Sequence, residues 1–140
     1  MPVYTAEAWV DAPPDQVWEV LVGLDRYPEW NPFTPRVVSD LEGGSTVALT
    51  TNLGWIRFTQ VEWILEVVCG ERLVWGGVLY GGLIRAERVQ TLTPEAGGTR
   101  YRSVDRIEGP ASLVVRLLFG GALERGFHEM AAALQARAAG

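Results

Sequence analysis

The stretch LIRAERVQTLTPEAGGTRYRSVDRIEGP, residues 83–110, decides the fold. Its two runs, LIRAERVQTL and TRYRSVDRIE, mix β-branched, aromatic and polar residues with a period of two, and Gly-rich punctuation separates and closes them. So short a connection joins antiparallel neighbours, because a parallel crossover needs about a dozen residues or more. With Glu95–Gly98 as a four-residue loop and Pro94 opposite Thr99, Leu92 faces Tyr101, Gln90 faces Ser103 and Arg88 faces Asp105. All of these lie on one side of the sheet. Leu92 and Ile107 share that side, which marks it as inward. The preceding turn at Gly81-Gly82 brings Trp75 alongside Arg88.

The same alternation extends upstream. RVVSD and STVALTT flank LEGG, a long run from Trp55 to Val68 ends at CGE, and RLVWGGVLY precedes the deciding stretch, giving roughly six strands between Arg36 and Gly109. VYTAEAWVD reads as a further strand that stops at Pro13-Pro14. Pro14 then suits a first helical position, Asp15 the positive end of the dipole, and Val17, Leu21 and Leu24 recur at helical spacing. This helix should end near Asp25, ahead of Pro28. In RYPEWNPF (26–33), Pro28 stops the helix, Asn31-Pro32 makes a second turn, and Trp30 and Phe33 are large enough to plug the open end of the sheet. Beyond Gly109, Phe119, Leu123, Phe127, Met130 and Leu134 form a stripe over four helical turns. Gly120-Gly121 predicts a kink or a late start of this helix. The very apolar SLVVRLLFGG (112–121) reads as its first buried turns; the other reading is a hinged lid or a membrane-touching mouth. The expected architecture is α+β, one domain over 1–140. A curved antiparallel sheet of six to seven strands wraps a long C-terminal helix, with two short helices after the first strand.

Composition removes several function classes. The chain has 140 residues, 48% hydrophobic and 21% charged, with a net charge of −5. All 12 basic residues are scattered Arg, so the stripe that nucleic acid requires is missing. Without Lys there is no Schiff-base chemistry. With one Cys and one His, neither a thiolate metal site nor a Ser/His/Asp triad has material, and no metal or organic cofactor is indicated. No window is long and apolar enough for an integral membrane segment, and no leader-like N-terminus is present, so a cytoplasmic location is expected.

Four motifs together, VDAPPDQVWEVL (10–21), RYPEWNPF (26–33), LVWGGVLYGGL (73–83) and GFHEMAAALQARA (126–138), resemble the START-like, or SRPBCC, superfamily. Within it the chain is most similar to the bacterial polyketide cyclase/dehydrase-like group related to the birch pollen allergen. That resemblance implies a helix-grip fold, with a seven-stranded sheet around a C-terminal helix and a deep apolar cavity between them. It also implies binding of lipids, sterols, polyketides or aromatic compounds, and in a minority of members cyclisation, dehydration or hydrolysis.

The expected function is binding of a small hydrophobic or aromatic molecule between sheet and helix. Trp18, Trp30, Phe33, Trp75, Phe127 and Met130 supply the apolar wall, and Arg88, Gln90, Tyr101, Ser103 and Asp105 a polar anchor. A buried Arg88 and Asp105 should pair, since an isolated buried charge costs several kcal/mol. An enzyme in the same cavity, a cyclase or dehydratase, would use Asp105, Arg88 or Tyr101 for acid/base help without a metal or covalent nucleophile. A third class is a stress or assembly protein that binds a partner and has no open pocket. A homodimer fits the exposed sheet edges. Glu62 and Glu66 are expected on solvated faces, and His128 on the helix surface.

Overall fold

The computed structural model describes residues 3–140. β1 (Val3–Val10) leads into α1 (Pro14–Val22), a 3₁₀ turn (Leu24–Arg26) and α2 (Tyr27–Trp30). β2 (Arg36–Val38), β3 (Thr46–Asn52), β4 (Arg57–Val68), β5 (Arg72–Leu79), β6 (Ile84–Glu95) and β7 (Gly98–Glu108) follow, and α3 (Ser112–Ala139) closes the chain. The strands form one seven-stranded sheet in the order β1-β7-β6-β5-β4-β3-β2, with every neighbouring pair antiparallel. This is the helix-grip arrangement. No described helix is long and apolar enough to cross a membrane.

The β6–β7 hairpin has the expected register, with Arg88 opposite Asp105, Gln90 opposite Ser103 and Pro94 opposite Thr99. Its turn is tighter than a four-residue loop. Glu95 pairs with Gly98, and only Ala96 and Gly97, both at positive φ, lie between them. Two left-handed residues match the twist of the flanking strands, which is why so short a loop closes.

At the first corner the boundaries move. α1 stops at Val22, where the Gly23 N–H bonds the Glu19 carbonyl at 3.0 Å. Pro28 therefore does not end this helix; it sits in the first turn of α2, where its missing N–H has no intrahelical partner to lose. Trp30 is half-buried and edge-on to Tyr27, with ring centroids 4.9 Å apart. The plug is Phe33 alone. Buried Asn31 holds the turn by accepting from the Phe33 and Thr34 N–H groups at 3.1 and 2.9 Å. Phe33 then meets Phe127 edge-on at 4.8 Å, in space that Gly126 leaves free.

α3 buries Leu123, Phe127, Met130 and Leu134, four of the five residues in the expected stripe, with Phe119 half-buried at its mouth end. Two expectations fail here. The helix runs unbroken through Gly120-Gly121, because intrahelical bonding and packing against β1 outweigh the propensity of two glycines. And 112–121 is not a buried segment: Leu113, Val114, Leu117 and Leu118 are all exposed, while Val115 and Phe119 of the same turns are half-buried.

Candidate functional site

Strand alternation builds the site. From the concave face of the sheet, β4 presents Phe58, Gln60, Glu62 and Ile64, β6 presents Arg88, Gln90 and Leu92, and β7 presents Tyr101, Ser103, Asp105 and Ile107. Trp75 of β5 lies opposite both Ile64 and Arg88. With α3 laid across this face, two adjoining chambers remain. The inner one, about 80 Å³, is lined by Phe33, Thr34, Glu62, Trp75, Arg88, Asp105 and Phe127 among others. The outer one, about 300 Å³, is walled mainly by apolar residues, including Leu53, Ile56, Leu79, Tyr80, Ile84, Val115 and Phe119. Phe58, Gln60, Ala86, Ile107 and Leu123 line both.

Arg88 organises the inner chamber. Its Nε donates to Ser103 Oγ at 3.0 Å and an Nη to Met130 Sδ at 3.0 Å. Its guanidinium carbon lies 5.0 Å from the Phe127 ring centroid and 5.9 Å from that of Trp75, within cation–π range. The expected Arg88–Asp105 ion pair is not made, since the guanidinium turns to the hydroxyl one register step away and to the helix sulfur instead. Asp105 accordingly keeps its burial penalty. Burial pushes its carboxyl up to about 7, with Arg88 opposing the shift and Glu62 adding to it.

Glu62 corrects a second expectation. It is only 4% exposed, accepts a hydrogen bond from Gln60 Nε2 at 2.6 Å, and lines the chamber instead of facing solvent. Burial pushes it also up to about 7, against the pull of Gln60 and Arg88. The signal in the sequence was Ile64, two residues on and on the same face. A bulge at Leu65, between the Ile64–Trp75 and Glu66–Val74 pairs, hid it by breaking the alternation around Trp63-Ile64-Leu65. Past that bulge Glu66 is exposed and pairs with Arg72.

The other candidates divide. Phe33, Trp75, Arg88, Asp105 and Phe127 line the inner chamber. Gln90, Tyr101, Ser103 and Met130 lie behind that wall: Tyr101 is fully buried and its hydroxyl donates to Gln90 Oε1 at 2.7 Å, while Ser103 and Met130 serve Arg88. Trp18 is buried in the core under α1, and Trp30 is held at the α2 corner; neither lines a chamber. His128 is exposed.

A helix-grip sheet thus holds two carboxyls, each pushed up to about 7 by burial, around one guanidinium in the smaller of two adjoining chambers. The sequence profile of the family described as polyketide cyclase/dehydrase and lipid transport matches residues 1–138. The chain belongs to this family, which is of the START-like, SRPBCC type. No curated protein matches it by sequence. Among solved structures, protein TTHA0849 of Thermus thermophilus superposes with a TM-score of 0.78 at 18% identity, over 98% of this chain and 97% of that one. Ara h 8.0201 gives 0.73 at 10% identity, over 98% and 97%. The di-domain ARO/CYC protein StfQ from the steffimycin biosynthetic pathway gives 0.68 at 14% identity, over 97% of this chain and 51% of that one. Likeness at such identities is likeness of fold.

Proposed function

We propose that this family member is a binding domain for one small, largely apolar molecule with a single polar end. The observation that carries the reading is the graded cavity. Its outer chamber is apolar and matches the lower end of the range of small-ligand sites, roughly 300–1,000 Å³. Its inner chamber concentrates Glu62, Arg88 and Asp105 at one end. A ring system or acyl segment fills the outer chamber, and a hydroxyl, carbonyl or carboxyl group reaches the guanidinium donors that Ser103 and Met130 leave over. Trp75 and Phe127 flank that end group and keep water from it.

Native mass spectrometry of freshly purified protein, with denaturing extraction of whatever is released, tests this. A stoichiometric adduct of a few hundred daltons, on the order expected for such a cavity, supports it. A clean apo mass together with failure to bind apolar probe dyes contradicts it.

Glu62 and Asp105 favour one second reading. Two buried carboxyls with values near 7, around an arginine that stabilises negative charge, are suited to move a proton at a ligand carbonyl. In a cyclase or dehydratase, one carboxylate takes a proton α to a carbonyl while Arg88 holds the developing enolate. Asp105→Asn or Glu62→Gln would then abolish turnover of a poly-β-ketone substrate and leave its affinity within a fewfold of wild type. Affinity for that substrate with no turnover by the wild type would leave pure binding.

A further inference from the structure

The mouth of the outer chamber is rimmed by three segments, residues 53–57, 79–85 and 113–119. Their outward side chains are strongly apolar: Leu117 is 75% exposed, Trp55 69%, Leu118 64%, Tyr80 62% and Leu113 60%, with Val114 and Leu83 both above half. Monomeric proteins rarely leave a contiguous apolar patch beyond roughly a few hundred Å² without a partner for it. Tyr80 also lines the outer chamber and Trp55 stacks on Phe119, while the exposed leucines and Val114 line neither chamber. Neither Leu117 nor Leu118 lines the chamber that Val115 and Phe119 of the same helix wall; Leu117 points away from it and Leu118 stands on the flank.

Charge says what covers the rim. The three segments hold Arg57, Arg85 and Arg116, all exposed, and no Asp or Glu, in a chain whose net charge is −5. Among the described residues none of the three arginines is ion-paired, a state shared elsewhere on the surface by Arg36 and Arg106, whereas Arg72, Arg100, Arg102 and Arg137 are paired. Local positive charge around exposed leucines and an exposed tryptophan is the composition of a surface that settles into the headgroup layer of an anionic bilayer. Trp55 suits that boundary, having an apolar ring with one N–H, and it is held there by stacking on Phe119, centroids 5.7 Å apart and planes 10° from parallel.

We propose that this rim docks on an anionic lipid surface, with the first two turns of α3 as the apolar contact and Arg57, Arg85 and Arg116 as its electrostatic ring. Docking sets the mouth of the outer chamber directly against the bilayer. The proposal stands on the surface alone and does not require the cavity to be occupied.

Vesicle co-sedimentation tests it, comparing phosphatidylcholine/phosphatidylserine vesicles with phosphatidylcholine alone, at low and high salt. The wild type should bind the mixed vesicles, bind neutral ones more weakly, and release as salt rises. A Leu117→Asp/Leu118→Asp variant should lose about tenfold or more of the partitioning, and Arg116→Glu should lose chiefly the preference for anionic vesicles. Both should keep the wild-type melting temperature and binding of an apolar dye in the cavity, since none of the three residues lines a chamber. Wild type that ignores anionic vesicles, binds neutral ones equally, or is unaffected by these substitutions overturns the proposal. So does a dimer in sedimentation velocity that the leucine substitutions dissolve, because the rim is then covered by a second copy. Dye binding that persists in any of these cases leaves the cavity function standing.

Discussion

Glu62 and Asp105 carry the pH behaviour of the protein. Both have folded-state values near 7, above those of the unfolded chain, which are about 4. The native state therefore holds protons that the unfolded chain has already released, so the contribution of these two groups to stability is fullest below about pH 4 and is lost as pH rises through about 7. Thermal denaturation should show the midpoint falling between about pH 5 and 8, and a Glu62→Gln/Asp105→Asn variant should fall less, gaining on the order of 3 kcal/mol on the wild type over that window. Identical pH profiles would mean that the two carboxyls are solvated. Of these residues, Asp105 and Arg88 were legible from the sequence because hairpin register and two apolar neighbours set their face. Glu62 was not, since a bulge has no sequence signature of its own and Leu65 looked like a continuing strand. The absence of an Arg88–Asp105 pair was hidden for a different reason: the competing partner, Met130, comes from a helix more than forty positions on, and side-chain choice between partners is a tertiary matter.

At the scale of elements, the decisive contact is the corner before β2 against α3. A Cβ on Gly126 would lie 2.0 Å from a ring carbon of Phe33, closer than any relaxed packing allows. Gly126→Ala should thus destabilise the fold by about 1–2 kcal/mol, the overpacking penalty less the helix propensity gained. In a Phe33→Ala background the same change should become neutral or stabilising, which a double-mutant cycle by denaturant titration reads directly. The corner was partly readable: an aromatic plug was expected, but Trp30 and Phe33 were equivalent in the sequence and only the buried Asn31 turn selects Phe33. The Trp55–Phe119 stack joins the β3–β4 loop to α3 over the chamber mouth. Trp55→Ala should speed both uptake and release of a fluorescent apolar probe severalfold in stopped-flow mixing, with a smaller change in Kd, because the stack obstructs passage more than it contacts a bound molecule. A change in Kd at constant release rate would instead make Trp55 a part of the binding wall.

For the whole molecule, order of elements and antiparallel patterning were enough to indicate a sheet gripping a helix, because short Gly-rich turns leave almost no other topology. What patterning does not convey is void volume, which depends on how deeply α3 settles into the sheet. The functional reading stands or falls on whether this space is open and takes an apolar molecule. Ala86 lines both chambers, so Ala86→Phe fills them from within and leaves the exposed rim unchanged. Calorimetric titration of an anilinonaphthalene dye into wild type and Ala86→Phe separates the cavity from the apolar surface around it. One saturable site is expected in the wild type and its loss in Ala86→Phe, with the variant still folded by circular dichroism. Equal binding to both proteins, or none to either, would contradict an open, ligand-accepting cavity.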